Sequence, residues 1–225
     1  MAPPLRPGRL LRRLALLVAL ALTVPAAAGE ARFDHYLLAL TWMPSFCALE
    51  GDARDDARCA PGSGHGWMVH GLWPQETGGT WPEYCPTRHG NPSRQETAAQ
   101  ADLFGASGPA WHQWNKHGSC TGLSAGDYYA LTRAAVAALV LPETFAAMET
   151  GAVLSPEMVE AAFAEVNPGL DAGMMITTCR RDLIVELRLC LTRELEPRPC
   201  DGAVLQRSCA RNWAHLPALR IGPAP

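Results

Sequence analysis

Eight cysteines, at positions 47, 59, 85, 120, 179, 190, 200 and 209, constrain this chain more than any other feature of its sequence. An even number of cysteines in an exported chain reads as four disulfides. Eight cysteines allow 105 pairings, and the sequence alone does not choose among them. A zinc site is the competing reading. Against it stand the absence of any Cys-x-x-Cys pair and an oxidising compartment that would consume the thiolates first.

The expectation of export comes from the first 28 residues. Arg6, Arg9, Arg12 and Arg13 precede an apolar run from Leu14 to Val24, and Pro25-Ala26-Ala27-Ala28 then offers small residues at the spacing a signal peptidase accepts. The run is too short for a bilayer that needs about 20 residues, and no later stretch is longer. Residues 1–28 are therefore expected to be a signal peptide and 29–225 a single domain, in the periplasm or the extracellular medium and without a membrane partner.

With 48% apolar and 18% charged residues the chain is neither disordered nor a coiled coil. A domain of this size buries roughly 70% of its unfolded surface, so it is expected to fold and act as a monomer. Losing the four leader arginines and no acid takes the formal charge from −3 to −7. Coating a duplex calls for a basic surface, and this balance argues against it. It leaves room for a polyanion held briefly at a small local cluster.

The run Tyr36-Leu37-Leu38-Ala39-Leu40-Thr41, within 35–42, reads as a buried strand. Residues 50–65 read as a loop, 67–70 as a second short strand stopped by Gly71 and Pro74, and 75–95 as an irregular connection. Helices are expected over 109–117, with Gly118 as its left-handed terminator, over 127–139, and from Ser155-Pro156 to about Val166. Residues 174–179 and 183–191 read as strands around an Arg180-Arg181-Asp182 turn. Strands at both ends with helices between them indicate an α+β domain, a central mainly antiparallel sheet with helices packed on it.

Four of the seven histidines fall in two groups, His65 with His70 and His112 with His117. On a helix Gln113, Lys116 and His117 converge on one side. Two imidazoles and an ammonium facing each other suit phosphodiester chemistry: one ring takes a proton, the other gives one, and the cation stabilises phosphoryl charge. The bland reading competes, since a histidine on a regular element is more often a hydrogen-bonded structural residue. His65, His89 and His215 read as loop histidines, Asp52, Asp55 and Asp56 as a solvated acidic face, and Arg180 and Arg181 as surface turn residues.

His70-Gly71-Leu72-Trp73-Pro74 and Trp114-Asn115-Lys116-His117-Gly118-Ser119-Cys120 closely resemble the two active-site segments of the ribonuclease T2 family, exported or vacuolar acid endoribonucleases. The stretches 36–42, 44–47, 81–85 and 167–169, with the final cysteines, resemble other parts of the same family. The resemblance implies His70 as general acid and His117 as the base that activates the ribose 2′-hydroxyl. It implies Lys116 as the stabiliser of the pentavalent phosphorane and His112 as an accessory phosphate ligand. Trp73 would stack on the base, with Trp81 as a second wall. The implied partner is single-stranded RNA and not DNA, with no metal and no cofactor. Gln113 departs from the pattern, standing where a glutamate usually sits, and reduced activity or a shifted pH optimum is expected from it. The resemblance also implies the pairs Cys85–Cys120, Cys179–Cys209 and Cys190–Cys200, with Cys47 and Cys59 as the remaining pair. Two other classes compete: an RNA-binding protein on the same scaffold, its catalysis lost through Gln113, and a histidine-ligated metal protein.

Overall fold

Strand β1 (His35–Trp42) is buried along its whole length, as a strand paired on both sides must be. In the computed structural model, which describes residues 32–222, β1 lies between β2 (Trp67–Gln75) and β5 (Leu183–Leu191), antiparallel to both. Beyond β5, β4 (Met175–Arg180) pairs antiparallel with it, and β6 (Ala214–Leu216) meets it in parallel at Leu183 and His215 and carries β3 (Ala152–Leu154). The sheet has six strands. The leader expected at 1–28 lies outside the described residues.

Period two divides this sheet into two faces. Leu38, Leu40 and Trp42 of β1, Val69 and Leu72 of β2, and Leu187, Leu189 and Leu191 of β5 form the main core. Among the described residues the α-helices are α1 (Met43–Phe46), α2 (Arg94–Ala98), α3 (Ala101–Phe104), α4 (Ser107–Lys116), α5 (Ala125–Ala137), α6 (Glu143–Ala146), α7 (Pro156–Val166) and α8 (Gly202–Leu205). The main core takes Ala110 and Trp114 from α4, Tyr128 and Tyr129 from α5, and Val159 and Phe163 from α7. On the opposite face Leu37, Ile176 and Cys190 gather with Cys200 and Val204 in a smaller cluster, against which Trp73 packs. The expected α+β class, with a mainly antiparallel sheet in one disulfide-stapled domain, is the one observed.

Several local expectations need correction. β2 does not stop at Gly71 but runs to Gln75, with Pro74 in register with Tyr36. Proline is tolerated because β2 is the edge of the sheet, where a missing N–H costs no ladder bond. Gly118 is not left-handed: it opens a 3₁₀ turn, Gly118–Cys120, and its glycine is required by space. A Cβ there would lie 2.5 Å from the Trp114 ring and 2.9 Å from Tyr128. The helix expected at 127–139 starts at Ala125, because Ser124 caps it by accepting from the Asp127 N–H. A helix also interrupts the expected 75–95 connection, where Ser93 and Glu96 form a reciprocal capping box for α2.

Two tyrosines of α5 and one disulfide position α4 against β2. The Tyr128 hydroxyl donates to the Leu72 carbonyl and that of Tyr129 to the Ala110 carbonyl, both at 3.0 Å. Cys85–Cys120 ties the connection after β2 to the turn after α4, and the Tyr84 N–H donates to the Lys116 carbonyl beside it at 2.8 Å. The other bridges are Cys47–Cys59, Cys179–Cys209 and Cys190–Cys200. Closing a loop between residues 35 apart restricts the unfolded chain, so the Cys85→Ala/Cys120→Ala variant is expected to lose about 2–4 kcal/mol in denaturant unfolding. An unchanged midpoint would show that the tyrosine bonds and core packing hold α4 without the bridge.

Candidate active site

His70 occupies a break in the β1–β2 register: Ala39 faces Gly71 and Leu40 faces Val69, leaving His70 without a partner on β1. Such a bulge re-aims a side chain. The His70 Nδ1 lies 2.5 Å from Oε1 of Glu186, which reaches it from β5 across the middle strand. Glu186 stands opposite Thr41 and Arg188 opposite Ala39, so both charged side chains leave the sheet on the face away from the main core. Nε and Nη2 of Arg188 donate to the other Glu186 oxygen at 2.9 and 2.7 Å. Burial of Glu186 works to raise its pKa, but the hydrogen bond and charge of His70 and the Arg188 guanidinium outweigh it and hold the carboxyl at about 2.

The second histidine has the opposite surroundings. His117 ends α4, its N–H donating to the Gln113 carbonyl at 3.0 Å, and it is only 5% exposed. Its Nδ1 is buried without a hydrogen-bond partner. Burial, and then the neighbouring charges of Lys116, His70 and His112, push its pKa down to about 3, so the ring is neutral. Trp73 links the two histidines: His117 stacks on it at 5.3 Å between centroids, and His70 meets it edge-on at 5.0 Å.

Gln113 is buried, and its Oε1 accepts from the Trp73 indole N–H at 2.9 Å. Gly71 makes room for that bond, since a Cβ there would lie 2.1 Å from the Gln113 oxygen and 2.4 Å from the indole nitrogen. Lys116 Nζ lies 3.1 Å from Oε1 of Glu83, which also accepts from the Trp81 indole at 2.6 Å. The Trp81 bond foremost, and Lys116 after it, hold the Glu83 carboxyl below its usual range. Exposed His112 is shifted downward by desolvation, Lys116 and His70, with Glu83 opposing.

A cleft of about 420 Å³ brings these groups together. His70, Trp73, Trp81, His112, Gln113, Lys116 and His117 all line it. A larger cleft of about 880 Å³ adjoins it, sharing His70, His112, Gln113, Arg188 and Arg207. Arg180 lines that larger cleft, bonded to Glu50, instead of facing only solvent as a turn residue. Asp56 lines it too, paired with Arg58, while Asp52 pairs with Arg220. His65, His89 and His215 line neither cleft. The tryptophans are already in use as platforms: the Arg188 guanidinium lies over Trp73 at 5.3 Å and that of Arg207 over Trp81 at 4.3 Å.

Glu83, Glu186, Arg188 and Arg207 are the site residues that sequence reasoning missed. For Glu186 and Arg188 a signal existed. They are two charges at alternate positions of Glu186-Leu187-Arg188-Leu189, a strand otherwise apolar, which puts both on one face. Among the described residues no three His, Cys, Asp or Glu side chains converge as metal ligands would. Among the same residues no helix is long and apolar enough to cross a membrane.

Two imidazoles in contrasting environments and a lysine paired with a carboxylate line one cleft of a disulfide-stapled α+β domain. The ribonuclease T2 family model matches residues 33–200, and the chain belongs to that family. It is 38% identical over 106 residues to "Ribonuclease" of Aeromonas hydrophila, covering 47% of this chain and 46% of that protein. It is 32% identical over 127 residues to "Probable ribonuclease" of Haemophilus influenzae, covering 51% and 46%. The chain thus spans less than half the length of these two curated relatives. Its fold is similar to that of an RNase-related protein from Calystegia sepium, with a TM-score of 0.61 at 18% identity over 83% of this chain and 98% of that one.

The two depressed pKa values set how stability responds to acid. His117 falls from 6.5 to about 3 on folding and Glu186 from 4.5 to about 2, so in each window the unfolded chain binds the extra proton. Each group contributes stability that is full above its unfolded pKa and lost as pH falls through its folded one. Denaturant unfolding midpoints are expected to decline from pH 7 to pH 3, and His117→Asn is expected to flatten the decline above pH 4.5. An equal slope in the variant would show that His117 is not buried neutral.

Proposed function

We propose that this protein is an exported endoribonuclease that cleaves single-stranded RNA by transphosphorylation, without a metal. The observation that carries the reading is the pairing, in one cleft, of a buried neutral histidine with a second histidine hydrogen-bonded to a carboxylate, beside Lys116. His117, neutral and with no acid bonded to it, takes the proton of the ribose 2′-hydroxyl. The oxygen attacks its own phosphorus, and the bond from phosphorus to the 5′ oxygen breaks. His70, whose Nδ1 is engaged by Glu186, presents Nε2 and gives a proton to the leaving 5′ oxygen. Lys116 and His112 hold charge on the phosphoryl oxygens. Water then opens the 2′,3′-cyclic phosphate to a 3′-phosphate with the proton roles reversed.

An internal nucleophile supplies the proximity that a bound water would otherwise have to gain. DNA lacks that hydroxyl and is not a substrate. Base recognition through the tryptophan faces is tolerant of sequence, because every base has a π-face. Stacking on Trp73 requires Arg188 to give way, since the guanidinium covers that ring. Gln113 positions Trp73 through its acceptor oxygen, and its amide supports charge in the cleft only as a dipole. Four disulfides fit an oxidising compartment, the periplasm or the medium.

The test is cleavage of a mixed-sequence single-stranded RNA by the oxidised protein with excess chelator, from about pH 4 to 8 around the reference histidine value. Fragments ending in 2′,3′-cyclic phosphate are expected, and none from His70→Ala or His117→Ala. Because His117 stays unprotonated to about pH 3, the acid limb of kcat/KM is expected well below 6.5. Binding without cleavage at every pH would favour the binding-protein reading instead. Gln113→Glu adds a negative charge one helical turn from His117 and is expected to move the acid limb to higher pH. An identical rate and profile would show that charge at position 113 has no part in the chemistry.

A further inference from the structure

Six arginines and lysines line the two clefts, and five of them face a carboxylate: Arg54 and Arg180 on Glu50, Arg58 on Asp56, Lys116 on Glu83 and Arg188 on Glu186. Arg207 is the sixth. Among the described residues it pairs with no carboxylate; its Nη2 donates to the Gly79 carbonyl at 3.1 Å, and its guanidinium lies over the Trp81 ring. It lines both clefts beside Arg188, and the two cations are close enough that Arg188, after burial, lowers the Arg207 pKa. Like charges held together in a partly buried cleft are unfavourable unless an anion comes between them.

The fold goes to some length to hold this residue there. The chain after β5 is stapled back by Cys190–Cys200, then by Cys179–Cys209 only two residues beyond Arg207. Val204, three residues before it, is buried in the cluster on the site face of the sheet.

We propose that Arg207, with Arg188, forms an anion subsite that binds a phosphate flanking the scissile one, so that the enzyme favours chains carrying a second phosphate over a bare dinucleoside monophosphate. The inference rests on the endoribonuclease reading and adds to it a preference for substrate length. The Arg207 guanidinium is pre-oriented by Trp81 and the Gly79 carbonyl, Arg188 is the neighbouring cation that must leave Trp73 when a base stacks there, and a planar fork suits two phosphate oxygens.

Kinetics would compare a dinucleoside monophosphate with the same molecule bearing an added 5′- or 3′-terminal phosphate. One of the two additions is expected to raise kcat/KM of the wild-type protein about five- to tenfold, the size of a charge-assisted contact at a partly exposed site. Arg207→Gln is expected to lose that gain, and Arg207→Lys to keep part of it. A second readout needs no catalysis. Binding of 2′-deoxy analogues of the two ligands, measured against salt, is expected to show a steeper slope for the phosphate-bearing one, a difference absent in Arg207→Gln. If the added phosphate changes neither rate nor slope, or if Arg207→Gln weakens both ligands equally, Arg207 only props Trp81 and the subsite does not exist. A wild-type protein that binds with the expected slope but cleaves nothing would instead overturn the endoribonuclease reading while sustaining the subsite.

Discussion

A buried carboxylate is the constraint from which the arrangement of this molecule follows. Glu186 sits on β5 with 8% of its side chain exposed, and an ionised carboxylate in such a place is strongly disfavoured unless its oxygens are met. Here both are met, one by His70 and one by two nitrogens of Arg188, with the Thr41 hydroxyl 3.5 Å away. These partners come from β2, β1 and β5, so the strand order β2-β1-β5 is what assembles the charge cluster. A slip of one residue in β5 would turn Glu186 into the main core and bring Leu187 to the site. Register and chemistry are therefore specified by the same contact. The bulge at His70 belongs to that unit, because it is what lets an edge-strand imidazole reach across β1.

The second imidazole is placed by other means. No acid draws in His117; it is carried to its position by α4, which is fastened through Trp114 in the core, the Tyr129 bond to Ala110 and the Cys85–Cys120 bridge. Burial and neighbouring cations then keep the ring neutral. Trp73 is the shared spacer, packed by Gln113 on its indole nitrogen and by His117 on its face. The two histidines thus sit in different surroundings, one anchored on a carboxylate and the other on apolar packing.

Much of this was legible in the sequence, and the exceptions have physical reasons. β1 was readable because a fully buried strand carries a continuous apolar run, and α7 because Ser155 and Pro156 mark its start. Helical spacing brought Gln113, Lys116 and His117 to one side, while His70 was joined to them only by the resemblance of the two motif segments to the family. Glu186 was hidden because its partner His70 lies 116 residues away in sequence, and Arg188 with it because a strand reading that scores apolar content passes over charges on the site face. The stop predicted at Gly71 and Pro74 failed for a related reason. Whether a proline ends a strand depends on which edge its nitrogen faces, and that is set by the sheet. Gly118 was read as a backbone device, whereas the tight approach of Trp114 and Tyr128 decides it.

The charge balance of the molecule bears on how such a site would treat a polyanion. The chain carries a net charge of −3, and five of the six cations in the clefts share four carboxylates, Arg54 and Arg180 both on Glu50, so much of the positive potential is offset at the site. Attraction falls off within about 8–10 Å at physiological salt in any case. A nucleic-acid strand would be held by short-range contacts at Lys116, Arg188 and Arg207 and not by a broad basic surface. Each of the first two must exchange a carboxylate for a phosphate to engage, a nearly balanced trade that lowers affinity without weakening stabilisation of the extra charge that builds up on the phosphoryl oxygens at the transition state. Such interactions, stronger in the transition state than in the ground state, speed turnover instead of tightening binding. Under the proposed activity, an acidic protein whose cleft cations are largely offset by carboxylates would release its product readily, unlike proteins that coat nucleic acid.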